Sequence, residues 1–477
     1  MHIAFVTSEA VPFAKVGGLA DVAGSLPIAL RALGHHVTVV LPFYRGTDPA
    51  ARSLAHRLSP VPVRLGGDTF PLQVYEGRTG SGVDALLLRN PGLFERERIY
   101  TSDPDEIRRF AVLARGALDV LADRGHPVDI LHAHDWPTAL APYYLARGGR
   151  DRPPLANARS LFTIHNIGHQ PLGDPGSMGP LGIDPADFHP GGLEFFGRLN
   201  LLKAGIVYAD GVSTVSPTYA REIATPDGGA GLDGVVRSLT RPVVGILNGI
   251  DAVAWNPAAD PHLPHAFDAE TREGKFGCKM ALQRRLDLPV RPSATVAVAV
   301  ARLAPQKGLD LVAAAAPRLL ASDLQLVVLG DGAPDQRAPF ERLQKDEPDR
   351  VRLVAGFDEP LAHLAYAGSD LFLVPSRYEP CGLTPLIAMR YGSIPVARRT
   401  GGLCDSIVDL DARLETGTGF AFDAPDPQQL VGAVQRAVAA RADRAAWAGL
   451  VERVMRIDGS WNVAARQYDE VYRALVG

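Results

Sequence analysis

The chain has 477 residues, 46% of them hydrophobic and 21% charged, with a formal net charge of −4. That length exceeds one ordinary hydrophobic core and implies at least two domains. The slight acidity excludes the broad basic surface that nucleic acid or an anionic membrane would require, so any phosphate must be held locally, by loops and a few Lys or Arg.

Three cysteines, Cys278, Cys381 and Cys404, show neither a disulfide framework nor metal-ligand spacing, which fits a reducing cytoplasm. The opening residues read as a strand without the basic and apolar regions of a signal peptide. No apolar run reaches membrane-spanning length.

Residues 3–7 read as a buried strand, 8–19 as a loop, 20–33 as a helix with Gly34 as its C-cap, and 37–41 as a second strand. This strand–loop–helix–strand unit opens a doubly wound α/β domain, whose ligands bind at the carboxyl ends of strands. The first loop is therefore a site candidate. It reads Lys15-Val16-Gly17-Gly18-Leu19-Ala20-Asp21. Gly17 and Gly18 allow close backbone approach, and Lys15 adds a cation, which suits a diphosphate or a nascent oxyanion. A tight turn with a solvated Lys is the alternative; the loop is neither G-x-G-x-x-G nor a Walker P-loop.

Residues 64–88 suggest a meander of short strands, and 105–122 an amphipathic helix. The strand at 128–132 ends in His132-Ala133-His134-Asp135-Trp136. Strand residues two apart face the same side, so this pair of histidines has a possible metal geometry. With no further Cys or His cluster nearby, sugar and backbone hydrogen bonding is the preferred reading, with Asp135 and Trp136 at a cleft edge. A strand at 160–164 ends in His165-Asn166, again at a carboxyl end. Residues 171–192, rich in Gly and Pro, read as a long mobile loop. A helix at 203–208, a strand at 211–215 and a helix from 216, with Pro217 in its first turn, follow. The strand at 243–247 ends in Asn248-Gly249-Ile250-Asp251.

Residues 257–265 read as linker and domain boundary. A helix at 279–286 precedes a second series of strands. The strand at 295–300 leads into a loop flanked by Arg302 and Lys307, with Gly308 opening a helix; two cations there suit a diphosphate, against ordinary surface charge. Strands follow at 324–329 and 351–355, the latter before Phe357, a core residue by default. After the strand at 371–374 comes Pro375-Ser376-Arg377-Tyr378-Glu379-Pro380-Cys381-Gly382-Leu383-Thr384-Pro385-Leu386, then a helix start at 387–391. Glu379 thus sits between a strand end and a helix N-terminus, where free N–H groups favour anions. A strand at 394–397 precedes Gly401-Gly402, and helices at 427–440, 444–456 and 461–475 close the chain. The whole reads as two α/β domains in series with a cleft between them. Its cations (Lys15, Arg302, Lys307), glycine loops and polar groups suit a transferase with an activated nucleotide-sugar donor, in which Lys and Arg neutralise the phosphates without metal.

These motifs, in order, resemble bacterial glycogen synthase and plant starch synthase, glycosyltransferase family 5. They are Lys15 to Val22, His132 to Trp136, Thr163 to Asn166, Thr214 to Ile223, Asn248 to Asp251, Gln306 to Asp310 and Glu379 to Leu383. The resemblance spans nearly the whole chain. It implies an α/β GT-B fold, two Rossmann-like doubly wound domains with an interdomain cleft. The domains are expected at 1–256 on the acceptor side and 257–455 on the donor side, with a helix in 456–477 packing back on the first. It implies retaining transfer of glucose from ADP-glucose to the non-reducing end of an α-1,4-glucan such as glycogen, with release of ADP and no cofactor. It leaves oligomeric state unassigned.

By the same resemblance Glu379, His165, Arg302, Lys307 and Asp135 carry catalysis. Lys15, Gly17, Gly18, Asp21, Asn166, Asn248, Phe357, Cys381, Gly382, Leu383 and Thr384 bind substrate, Phe357 by stacking on adenine. Two stretches depart from the family pattern: Gly168-His169-Gln170-Pro171 replaces Ala-Tyr-Gln-Gly, and Thr384-Pro385-Leu386 replaces Thr-Gln-Leu. The rivals are a UDP-glucose-dependent relative, a phosphorylase (whose pyridoxal phosphate Lys motif is not found), a dinucleotide-dependent dehydrogenase and a non-catalytic glucan-binding protein.

Overall fold

The computed structural model describes residues 1–477 except Gly80, Ser102, Phe357 and Ala412. The chain divides into two compact units: Met1–Gly249 with Trp461–Gly477, and Ile250–Ser460. The division falls ahead of the 256/257 boundary expected from sequence.

In the first unit the strands are β1 (His2–Val6), β2 (His36–Pro42), β3 (Ala55–His56), β4 (Val61–Leu65), β5 (Asp68–Arg78), β6 (Asp84–Arg89), β7 (Ile130–His134), β8 (Arg159–Ile164), β9 (Leu172–Gly173), β10 (Glu194–Phe195), β11 (Arg198–Asn200), β12 (Gly211–Thr214) and β13 (Val244–Gly245). Among the described residues ten of them form one sheet, ordered β13-β12-β8-β7-β1-β2-β6-β5-β3 with β4 on β5. From β13 to β6 all pairings are parallel. Their continuous apolar runs, such as Ile3–Val6, are those of strands covered on both faces. The meander β4–β5–β6 is antiparallel.

The helix Gly18–Ala32 begins at the glycine pair rather than at residue 20, because Gly17 is extended and serves as its N-cap. The last helix, Trp461–Val476, buries Trp461, Ala464, Ala465, Tyr468, Tyr472 and Leu475, a stripe at helical spacing. That stripe joins Ile3, Phe5, Leu26 and Leu30 in one core cluster. Residues 171–192 are not the mobile loop expected. Leu181 and Ile183 are buried, and buried Asp187 accepts hydrogen bonds from Tyr143 and Tyr208 and pairs with Arg147. Those anchors replace the missing regular structure.

In the second unit the strands are β14 (Thr295–Val300), β15 (Leu324–Leu329), β16 (Val351–Val354), β17 (Leu371–Val374), β18 (Ile394–Arg398) and β19 (Phe420–Phe422). They form a wholly parallel sheet ordered β16-β15-β14-β17-β18-β19. The segment read as a linker at 257–265 is instead part of this unit. Asp260 is buried and accepts from Tyr391 Oη at 2.5 Å and His363 Nδ1 at 2.6 Å. Among the described residues no helix is long and apolar enough to cross a membrane.

Tyr472 is fully buried, and its hydroxyl meets His132 Nδ1 at 2.8 Å. Tyr472→Ala should therefore cost the first unit about 3–5 kcal/mol. Denaturant unfolding monitored there checks this; a loss below about 1 kcal/mol would show that the last helix contributes little to that core.

Candidate active site

Both sheets reverse their strand order at the first strand of the unit. In the second unit the reversal lies between β14 and β17, and in the first between β1 and β7. Ligands of doubly wound sheets bind at the carboxyl ends of strands at such a point, where successive crossovers leave in opposite directions.

At the second unit's reversal, Lys307 ends a single tight turn, Pro305–Lys307, after β14. Gly308 follows with φ +64°, and a Cβ there would lie 2.1 Å from the Pro375 carbonyl oxygen. Only glycine lets the two loops touch. That contact sets Lys307 Nζ 2.6 Å from Glu379 Oε2, and Ser376 Oγ donates to the same oxygen at 2.9 Å. Glu379 is almost buried and Lys307 partly so. The pair is a charge-assisted hydrogen bond shielded from water. Arg377 donates from both terminal nitrogens to Asp310 at 2.7 Å and tightens the same junction. Gly402, which opens the short helix Gly402–Ser406 after β18, donates its N–H to the Glu379 carbonyl at 3.0 Å.

The helix after this turn runs Leu383–Arg390, so it starts earlier than the expected 387. Gly382, at φ +82°, is its N-cap, and Pro385 falls in the first turn, where its missing N–H removes no helical bond. Cys381 is buried and Leu383 packs against the apolar core. Those two therefore offer backbone groups rather than side chains, while Thr384 is half-buried. Arg302 is exposed and has no ion pair among the described residues. Phe357 lies outside the described residues.

At the first unit's reversal the loop after β1 is held by a residue that sequence reasoning missed. Buried Glu9 accepts the Val16 and Gly17 N–H groups on Oε2, at 2.5 and 3.0 Å, and the Tyr100 hydroxyl on Oε1 at 2.5 Å. Gly17 and Gly18 are thereby presented on an exposed face; no atom lies within 4 Å of where a Gly17 Cβ would sit. Lys15 is exposed and pairs with Asp21 at 2.6 Å.

After β7, Asp135 adopts φ +55°, a strained backbone for a non-glycine residue. Its carboxylate does not line a cleft edge as expected. It is buried and accepts the His165 N–H at 2.7 Å and the Asn166 N–H at 3.3 Å, fixing the loop after β8. Trp136 is likewise buried, edge-on to Phe110 at 5.0 Å. Burial pushes the Asp135 carboxyl up to about 7 against the pull of those two N–H groups, and pushes the His165 imidazole down to about 3. His165 is thus a neutral ring.

His132 has both nitrogens engaged, by the Tyr472 and Thr163 hydroxyls at 2.8 and 2.6 Å. The paired histidines are thereby built into the protein's own hydrogen bonding. Among the described residues no group of three His, Cys, Asp or Glu is placed to hold a metal ion. Asn248 is buried, and its Oδ1 has no partner among the described residues. Asn166 donates and accepts locally, with Gly168 N–H on its Oδ1 at 3.0 Å.

Residues 2–238 match the family model for the starch synthase catalytic domain, and 285–449 that for glycosyl transferases group 1. The glycogen synthase of Anaeromyxobacter dehalogenans (strain 2CP-C) is 46% identical over 480 residues, spanning 100% of both chains. Glycogen synthase 2 of Geobacter sulfurreducens is 41% identical over 477 residues, 99% of this chain and 98% of the relative. The chain belongs to the bacterial glycogen synthases. The catalytic domain of starch synthase IV from Arabidopsis thaliana, bound to ADP and acarbose, superposes with a TM-score of 0.91 at 38% identity, covering 100% of this chain and 98% of that one. The GT-B fold implied by the motifs is the fold observed, and a glycogen synthase is a glucosyltransferase.

Within this glycogen synthase the expected residues gather as Lys307 with Glu379, Asp135 with His165 and Asn166, and Lys15 with Asp21. Glu9, Tyr100 and Ser376 were missed, and His134, weighed only as half of a possible metal pair, instead meets His165. Ser376 stood inside the quoted turn, and Glu9 stood in the first carboxyl-end loop; an acidic residue there was the available signal.

Asp135 supplies a pH test. Its folded-state pKa lies above the 3.8 of an unperturbed carboxyl. Between the two values the folded protein keeps a proton that the unfolded chain has lost, so stability falls as pH rises from about 4 to about 7. Asp135→Asn keeps the Oδ1 acceptor and should flatten that decline. Identical Tm-against-pH curves for the two proteins would contradict the shift.

Proposed function

We propose that the chain transfers glucose from ADP-glucose to the non-reducing end of an α-1,4-glucan such as glycogen, with retention of configuration. The observation that carries this reading is the Lys307–Glu379 pair at the strand-order reversal, 2.6 Å apart. A lysine and a carboxylate side by side fit a donor with a diphosphate joined to a sugar. In this reading Lys307 and exposed Arg302 take the diphosphate and stabilise the charge that develops as it leaves. Glu379 holds the donor glucose, and backbone N–H groups from Cys381 to Thr384 hold sugar and phosphate. In the first unit Lys15 and the Gly17–Gly18 backbone serve the phosphates. His165 supports the sugar as a neutral ring, and Asn248 lines the sugar or acceptor side. A donor phosphate oxygen takes the acceptor's hydroxyl proton, with attack on the face from which ADP departs.

The likeness to starch synthase IV bound to ADP and acarbose supports ADP as the nucleotide. The cations already present support a reaction without metal or organic cofactor, one that should proceed in EDTA. The spacing of Cys278, Cys381 and Cys404, which follows no disulfide framework, supports a cytoplasmic setting.

Radiolabel should pass from ADP-glucose to glycogen; comparable kcat/KM with UDP-glucose would overturn the donor assignment. Glu379→Ala should lower kcat by about 10²–10³-fold with Tm retained, and near wild-type turnover would remove Glu379 from the reaction. Lys15→Ala should chiefly impair donor use. Steady-state kinetics at varied ADP-glucose checks this, and an unchanged donor KM and kcat would count against it.

A further inference from the structure

The imidazole behind His165 determines where that ring carries its proton. His134 ends β7, is buried, and has Nδ1 3.0 Å from His165 Nε2. Its other nitrogen, Nε2, is buried with no partner among the described residues. Phe5 stacks on the His134 ring at 5.0 Å between centroids, and His132 lies 4.1 Å away with both its nitrogens engaged. Burial holds His134 and His165 well below the usual histidine range, so each ring carries one proton.

Only two arrangements make the bond between them. If His165 donates from Nε2, His134 must carry its own proton on Nε2, where a buried N–H finds no acceptor. If His134 donates from Nδ1, its Nε2 is a bare lone pair and His165 carries its proton on Nδ1. A buried unsatisfied N–H is rarer in native proteins than an under-used acceptor. The second arrangement is therefore favoured, since the hydrogen bond made by one ring nitrogen fixes the state of the other.

We propose that His134 is a positioning residue that donates its Nδ1–H to His165 Nε2 and fixes His165 as the tautomer protonated on Nδ1, ready to donate to an oxygen of the sugar. His165 Nδ1 makes no hydrogen bond to any described residue, which leaves that proton for a ligand. The inference rests on His165 facing the sugar, as proposed above.

The test is ¹⁵N NMR of the ligand-free, histidine-labelled protein, with the His165 signals assigned by their loss in His165→Ala. A protonated Nδ1 and an unprotonated Nε2 are expected. His134→Asn places an amide donor where Nδ1 stood; it should keep that tautomer and hold kcat within about threefold of wild type. His134→Leu removes the donor, should let His165 shift toward the Nε2–H form, and should lower kcat by about 10–100-fold at a Tm matching His134→Asn. A wild-type His165 protonated on Nε2 overturns the proposal, as does His134→Asn losing as much activity as His134→Leu. Should His134→Leu not fold, the wild-type spectrum alone decides. That spectrum is recorded without donor, so a wrong donor assignment and a wrong tautomer are told apart.

Discussion

Two sheets whose parallel strands each reverse their order set the terms for everything else in this protein. Crossovers feed strands outward from the first strand in both directions, so the loops leaving its carboxyl end and that of its new neighbour diverge. The space between them is a consequence of topology and exists before any side chain is chosen. What the sequence adds is restraint. Gly308 lets one loop touch the Pro375 carbonyl, Glu9 ties down the glycine loop, and Asp135 ties down the loop after β8. Each device fixes backbone, and the reactive groups take their positions from it.

The two units build opposite electrostatic environments on this shared plan. At the second unit's reversal both partners, Lys307 and Glu379, are ionisable side chains in hydrogen-bond contact and partly shielded. Lys307 keeps some access to water, so its ammonium does not depend on Glu379 alone for solvation. In the first unit burial has the upper hand. His132, His134 and His165 are held neutral, and the Asp135 carboxyl is raised toward neutrality. The first pairs full charges in contact, and the second keeps its polar groups neutral by burial.

The strands were legible because strands covered on both faces read as unbroken apolar runs, as at Val296–Val300 and Leu371–Val374. Lys307 and Glu379 were legible because each stands in a short loop between such a run and a helix start, Lys307 beside Gly308 and Glu379 three residues before Gly382. The orientation of a polar side chain was not. Asp135 read as facing a ligand and instead turns inward, because two backbone N–H groups separated from it by the length of a crossover compete for its carboxylate. Residues 171–192 read as mobile from their glycines and prolines. Their order comes from Tyr143, Tyr208 and Arg147 on Asp187, contacts that no local pattern encodes. The helix start at Leu383 escaped notice because its cap is a glycine with no capping side chain.

The last helix carries a consequence for how the molecule is made. Trp461–Val476 belongs to the core that also contains Ile3 and Phe5, while Ile250–Ser460 forms a unit of its own. The two ends of that inserted unit meet, with the Ile250 N–H on the Gly459 carbonyl at 2.8 Å. During synthesis from the N-terminus the inserted unit therefore has its whole sequence available before the first unit does, although the first begins earlier. Until the final helix emerges, the nascent first unit lacks the cover for the face around Leu26 and Leu30, and that apolar surface stays open to water and to chaperones. The core that opens at β1 is thus closed by a 16-residue helix that the chain reaches only after the whole inserted unit.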